Sequence, residues 1–402
     1  MFDLESFISE YVIGRSESMF HTDLEANRDR LEQAICGRSV LVIGGAGSIG
    51  SAFIKEILHY GPSALVVVDI NENALTELTR DLRSSPDIRL PKSYISYPMD
   101  YASHVFEKMY RTHGGFDIVG NFSAHKHVRS EKDIYAVEAL LRNNVLNARK
   151  LLELLAEYPP RSYFCVSTDK AANPVNIMGA SKRIMEDLIF SFSDRFPVKT
   201  ARFANVAFSN GSLPEGFLER IAKKQPLSAP TDVRRFFVSP KESGQICLLS
   251  CVLGENRAIL YPRLEEKHMK TFDGIARDLL HVHGYEVFEC ESDEEAIEMA
   301  QELKDGGSRY PVRFSVSDTS GEKPFEEFVT SGEQTDEQRF ISLGVIVGKP
   351  MPDQIRLNAM LRELEELFDQ TVATKEDVVR ILQGYLPEFR HIETGRSLDE
   401  KM

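Results

Sequence analysis

Asp169 and Lys170 stand side by side, an acid next to a base, in the run Val166-Ser167-Thr168-Asp169-Lys170-Ala171, and Met178 and Lys182 follow at a spacing of four. A neighbouring carboxyl and amine can move two protons in one turnover, one group as acid and the other as base. At neutral pH that requires a protonated aspartic acid and a neutral lysine, and burial drives both groups in those directions. The alternative is a simple ion pair that closes a loop. The apolar run Tyr163-Phe164-Cys165-Val166 reads as a buried strand. Thr168, Asp169 and Lys170 then sit at its carboxyl end, where an open parallel sheet binds its ligands. Positions 178 and 182 share one helix face. Methionine has no titratable proton, so another group must take any proton moved there.

A second group of residues could hold a dinucleotide. Gly44-Gly45-Ala46-Gly47-Ser48-Ile49-Gly50 follows the strand-like Val40-Leu41-Val42-Ile43 and opens a helix. The spacing Gly44-x-x-Gly47-x-x-Gly50 permits a tight turn. It also lets the amides around Ser48 and Ile49 approach a pyrophosphate at a helix N-terminus. Asp69 ends the next strand, where a carboxylate accepts from both ribose hydroxyls and repels a 2′-phosphate, which favours NAD over NADP. Asp100, at the end of the third strand, either meets adenine or caps the following helix.

The frame for these residues is an alternation of strand and helix patterns. Strands are expected at 40–43, 64–70, 94–97, 116–121, from Tyr163, and at 198–204. Helices are expected at 51–60, 74–82, 105–112, 136–158 (stopped by Pro159-Pro160) and 178–192. This predicts an α/β fold, a Rossmann-type doubly wound parallel sheet with a smaller C-terminal substrate-binding lobe. Residues 1–37 read as a helical preface that packs against the main body or another subunit. The dinucleotide-binding domain spans 38–204 and the smaller lobe 205–402, with an insertion at 264–320 and C-terminal helices at 353–368 and 375–385. Two long helices of this fold commonly pair across a dimer, and 136–158 and 181–192 are the candidates.

The bulk numbers narrow the partners. A formal charge of −14 argues against nucleic acid or an anionic membrane as the main partner. Cys36, Cys165, Cys247, Cys251 and Cys290 form no Cys-x-x-Cys pair and read as buried free thiols in a reducing cytoplasm. There is no apolar run of about 18 residues or more, and the acidic N-terminus does not resemble a signal peptide, so a cytoplasmic protein without a membrane span is expected. His281 and His283 have no carboxylate partner at metal spacing, and no metal is expected.

On the glycine loop, the Thr168-Asp169-Lys170-Ala171 run and the Met178–Lys182 pair, the chain resembles the extended short-chain dehydrogenase/reductases that act on nucleotide sugars. Within them it is most similar to the polysaccharide-biosynthesis group of UDP-N-acetylglucosamine 4,6-dehydratases. The resemblance covers about 38–250 and resumes at Gly321-Glu322-Lys323-Pro324-Phe325-Glu326-Glu327. Ala124-His125-Lys126-His127-Val128 is similar to the family's Ala-x-Lys-His-Val segment, and Asn144-Val145 to the Asn-Val on the helix behind the cofactor. Arg202-Phe203-Ala204-Asn205-Val206 and Asn210-Gly211-Ser212 match the segment that meets the sugar diphosphate, and Arg235 in Arg234-Arg235-Phe236-Phe237 falls on the family's arginine. The chain departs from the pattern at Gly44, where threonine is common, and at Met178, which replaces the usual tyrosine as it does in one branch. It departs again in the insertion, and in a preface without the membrane spans of long relatives.

The resemblance implies NAD as cofactor and a nucleotide sugar as substrate, UDP-linked by default and GDP-linked as the alternative. The family reaction oxidises C4, eliminates water across C5 and C6, and returns the hydride to C6. It casts Asp169 as acid and Lys170 as base. With methionine at 178, Asp169, directly or through water with Thr168, takes the C4 hydroxyl proton. Lys182 holds the nicotinamide ribose, and Ala124 and Asn144 line the cofactor. Asn205, Ser212 and Arg235 meet the substrate. Lys126 and His127 either touch substrate or are structural, and Arg235 could instead be a surface salt bridge. A 4-epimerase of the same fold is the nearest rival, though it needs no C5/C6 acid–base pair and normally relies on the tyrosine. A non-catalytic NAD-binding protein is the third reading.

Overall fold

Along the first strand, Ser39–Ile43, the side chains divide between two cores: Val40 and Val42 enter one, Leu41 and Ile43 the other. A strand buried on both faces must divide its residues in this way, and that burial is why its sequence is a continuous apolar run. The computed structural model describes residues 2–126, 131–304, 306–317 and 326–392. Among them the main sheet has nine strands. Their order is 334–336, 343–347, 258–262, 198–203, 162–168, 118–121, 39–43, 64–69 and 93–98. The strands from 258–262 to 93–98 run parallel, 343–347 pairs antiparallel to 258–262, and 334–336 pairs antiparallel to 343–347. The chain winds outward from Ser39–Ile43 in both directions, so the switch point lies between that strand and Ile118–Asn121.

The sheet does not end at 204, where the sequence suggests a domain boundary. Ala258–Pro262, buried at every position, returns to pair with Val198–Phe203, and Leu343–Val347 pairs with it in turn. The helix Pro240–Leu253, which the sequence pattern does not announce, packs on Ser48–Leu58. A Cβ at Gly244 would lie 2.5 Å from the Ala52 carbonyl oxygen, so the two backbones meet directly.

The smaller lobe is built around a parallel three-stranded sheet in the order 286–289, 309–315, 227–230. The expected insertion is therefore tied to the lobe by its own strand. Phe7, Ile8 and Val12 of the N-terminal preface share this lobe's core with Phe208, Phe217 and Leu279. The preface is pinned further along, where Arg15 Nη2 donates to Glu242 Oε2 at 2.6 Å and Asp23 accepts the Ile341 and Ser342 N–H groups.

The long helix expected over 136–158 comprises Ile134–Leu141, a π turn at Arg142–Leu146, and Asn147–Leu155. Residues of this helix and of Ile177–Phe190 share one core with the C-terminal helices. Leu357, Leu361, Leu364 and Leu382, from the helices Gln354–Phe368 and Lys375–Tyr385, are buried in the same core as Leu141, Val145, Ile184 and Leu188. The Tyr385 hydroxyl donates to Asp187 at 3.2 Å, and the Arg142 guanidinium lies over the Phe368 ring. The chain's own C-terminal helices therefore pack into the core of the two helices expected to pair across a dimer.

Candidate active site

The glycine loop is shaped by what its Cβ atoms would strike. Gly44 has φ +71°, and a Cβ there would lie 2.6 Å from the Ser123 nitrogen. A Cβ at Gly50 would collide with the Gly44 carbonyl oxygen, whereas one at Gly47 would make only an ordinary 3.5 Å contact with it. The N–H groups of Ser48, Ile49 and Gly50, at the start of Ser48–Leu58, take no backbone acceptor among the described residues, and Gly47 caps the helix without a side chain. These orphan donors at a helix N-terminus beside a cleft of glycines fit a dinucleotide pyrophosphate. Asp69 ends its strand beside the loop. One of its oxygens accepts the Ala46 N–H at 3.0 Å and the other the Asn71 N–H at 2.9 Å, so it braces the loop it would serve. Asp100 accepts the Ala102 N–H, and the cap of the following helix is Ser103, which removes the capping alternative.

Strand Ser162–Thr168 delivers the acid–base pair. Thr168 Oγ1 donates to Asp169 Oδ1 at 2.6 Å, and Lys170 Nζ stands 3.3 Å from the same oxygen. Asp169 is buried, while Lys170 keeps part of its side chain in solvent. Behind them the strand is held by buried charge. The Ser167 hydroxyl donates to Glu186, and Arg202 bridges Glu186 and Glu333 with both charged partners buried. Arg202 is fully enclosed there.

The helix Ile177–Phe190 positions Met178 and Lys182, and both are buried. Its start is capped by the Asn176 side chain on Gly179 and by the Glu131 carboxylate, which accepts the Ile177 and Met178 N–H groups. Lys182 Nζ donates to the Val166 carbonyl at 3.1 Å, and burial pushes its pKa below that of an ordinary lysine. Asn144, carried by the π turn, accepts the His125 N–H at Oδ1 and donates from Nδ2 to the His125 carbonyl and to the Ser181 hydroxyl. It joins the 123–126 loop to the lysine helix, a bracing role distinct from the expected contact with cofactor. Ala124 lies half-buried in that loop and Lys126 is exposed at its end, while His127 lies outside the described residues.

The substrate side is assembled from separate segments. Asn205 Nδ2 donates to Glu326 Oε1 at 2.5 Å. Arg235 is buried, and its Nη1 donates to the Arg234 carbonyl. The Ser212 hydroxyl accepts the Glu215 N–H and starts the helix Leu213–Lys223. Glu131, Glu186 and Glu326 carry no pattern that marks them in the sequence. Glu326 was visible only as part of the Gly321–Glu327 segment, of which 321–325 lie outside the described residues. Cys36 is exposed, unlike the other four thiols.

The polysaccharide biosynthesis protein profile matches residues 40–346. An uncharacterized membrane protein of Methanocaldococcus jannaschii, MJ1061, is 30% identical over 62% of this chain and 73% of its own length. The probable polysaccharide biosynthesis protein EpsC of Bacillus subtilis is 26% identical over 89% of this chain, which spans only 55% of EpsC. Among solved structures, Pen from Bacillus thuringiensis aligns over 80% of this chain and 89% of its own, with a TM-score of 0.63 at 18% identity. The dTDP-glucose 4,6-dehydratase DesIV from Streptomyces venezuelae, solved with NAD and TYD bound, aligns over 87% of this chain and 97% of its own, with a TM-score of 0.54 at 17% identity. At these identities the structures establish the shared Rossmann-type fold. Among the described residues no helix is long and apolar enough to cross a membrane.

Proposed function

Because the chain belongs to the polysaccharide biosynthesis protein family, we propose that it is an NAD-dependent nucleotide-sugar 4,6-dehydratase, a hydro-lyase that converts UDP-N-acetylglucosamine to the UDP-4-keto-6-deoxy sugar for surface glycan synthesis. The observation that carries the reading is the Asp169–Lys170 pair at the end of Ser162–Thr168, with Met178 where a tyrosine would otherwise take the proton. An enzyme that only oxidises and re-reduces C4 has no use for a second acid–base pair and needs a titratable group at 178.

The amides of Ser48, Ile49 and Gly50 would hold the pyrophosphate, Asp69 the adenosine ribose and Lys182 the nicotinamide ribose. When bound, NAD supplies the hydride acceptor and donor. Asp169 takes the proton of the C4 hydroxyl and later gives one to the C6 oxygen, which leaves as water. Lys170 takes the C5 proton, made acidic by the C4 carbonyl, and returns one to C5. Thr168 fixes the carboxylate that does both tasks, through the 2.6 Å bond from its hydroxyl. Arg235 and Asn205 are the donors for the diphosphate, arginine by its planar fork.

Proton NMR of the protein with UDP-N-acetylglucosamine in deuterated water, and with the GDP-linked sugar alongside, tests this. A new 6-methyl signal with deuterium at C5 supports dehydration and identifies the nucleotide. A galacto-configured product without a methyl signal would replace this reading with a 4-epimerase.

A further inference from the structure

A second buried carboxyl lies near the acid–base pair. Glu326 is 6% exposed, and its oxygens accept from Asn205 Nδ2 at 2.5 Å and from the Phe236 N–H at 2.7 Å. Strand register explains where this puts it. Thr168 pairs with Phe203, so Asp169 and the 204–205 segment leave neighbouring strands at the same level, roughly 5 Å apart across the sheet. Asn205 pairs in turn with Phe237. Held from Asn205 and Phe236, Glu326 lies close enough to the strand end to feel the charges of Asp169, Lys170 and Arg235. Two carboxylates in one desolvated site resist ionising together. Burial first, and the Asp169 charge second, push Glu326 up to about 8, against the pull of Lys170, the Phe236 N–H and Arg235.

We propose that Glu326 is a positioning residue that shares one proton with Asp169 and, by holding it, keeps Asp169 as the free carboxylate of the pair. This rests on the role given to Asp169 above. With the proton on Glu326, Asp169 takes the proton from the C4 hydroxyl, and the pair then holds two. Asp169 passes its proton to the departing C6 oxygen, which leaves as water, and the pair returns to one. Lys170 handles the C5 proton separately, so Glu326 ends the cycle as it began. Once Glu326 ionises, a second negative charge beside Asp169 makes its captured proton too costly to release, and turnover falls.

The test uses the full chain and two readouts. The first is an infrared titration of the protonated carboxyl band from about pH 6 to 10, which needs no sugar. The wild type should lose a band with a midpoint near 8. Glu326→Gln should lack that band, and Asp169→Asn, which removes the neighbouring charge, should lower the midpoint by about one unit. The second readout is the pH profile of kcat. Glu326→Gln should keep activity within about tenfold at pH 7, and the alkaline limb near pH 8 should disappear or move up by a unit or more. An unchanged limb in Glu326→Gln, or a band midpoint that Asp169→Asn leaves in place, overturns the proposal. A band that behaves as expected in a protein that turns over no nucleotide sugar upholds the shared proton and defeats the dehydration reading alone.

Discussion

The Ser48 hydroxyl accepts the Asn210 N–H at 2.9 Å, joining the glycine loop to the segment that begins the smaller lobe. One side chain at the pyrophosphate end therefore helps to hold the loop that precedes Ser212. Ser48→Ala should weaken binding of the sugar nucleotide as well as of the dinucleotide. One neutral hydrogen bond is worth about 1 kcal/mol, or roughly fivefold in Kd. Calorimetric titration with each ligand separately measures both effects. A loss confined to the dinucleotide would mean that the Asn210 bond transmits nothing.

Asp169→Asn keeps the size and the hydrogen bond from Thr168 but cannot carry a proton between oxygens. Turnover should fall by at least about 10²-fold, the usual worth of a positioned acid or base. NAD affinity should be unchanged, because the partners of Asp169 are Thr168 and Lys170 and none lies in the glycine loop. Full activity in this variant would remove Asp169 from the mechanism.

The parts of this site that can be read from sequence are those where local backbone chemistry dictates the residue. The glycines are fixed by a turn that admits no Cβ at 44 or 50, and the strand before Asp169 is apolar because both its faces are buried. The helix Pro240–Leu253 is hidden for the opposite reason. It is enclosed on nearly all sides, so it has no polar face to set a period, and Ser243 and Ser250 satisfy themselves on the Pro240 and Ile246 carbonyls. The edge strands Glu286–Glu289 and Gln334–Asp336 are too short to show an alternation. Glu131, Glu186 and Glu326 gain their meaning from partners distant in sequence, Met178, Arg202 and Asn205, and no spacing rule reaches that far.

Glu186 makes a pH-dependent contribution to stability whose sign follows from its partners. Burial alone would raise its pKa, but the Arg202 and Lys349 charges outweigh that and hold the carboxyl well below the usual range. A carboxyl depressed in the folded state stabilises fully above its unfolded pKa, about 4.3, and the contribution is lost as pH falls from there towards the folded value. Urea unfolding of the wild type should therefore weaken steeply below about pH 4.3, and Glu186→Gln should show a shallower slope in that window. The variant should also be less stable at pH 7 by about 3–5 kcal/mol, since Arg202 loses one of its two buried partners. Equal acid slopes in both proteins would show that the network is not what depresses this carboxyl.

The C-terminal helices pack into the core of the two helices expected to pair across a dimer. Leu364 is fully buried there, in the same core as Val145 and Ile184. An aspartate at 364 would place an unpaired charge in that core, costing several kcal/mol unless the helices lift away. Lifting them would uncover the apolar faces of 134–155 and 177–190. It would also strain the start of the Met178 helix, because Lys375 donates to the Glu131 carbonyl at 2.8 Å and Ile392 donates to the Val175 carbonyl at 3.0 Å. Leu364→Asp should thus lower the melting temperature, reduce turnover, and raise the mass measured by light scattering as the exposed faces associate. A destabilised variant whose mass stays at the wild-type value would show that these faces do not associate once uncovered. A wild type already dimeric through them, detected by crosslinking between cysteines placed on 134–155, would mean that the C-terminal helices yield to a partner.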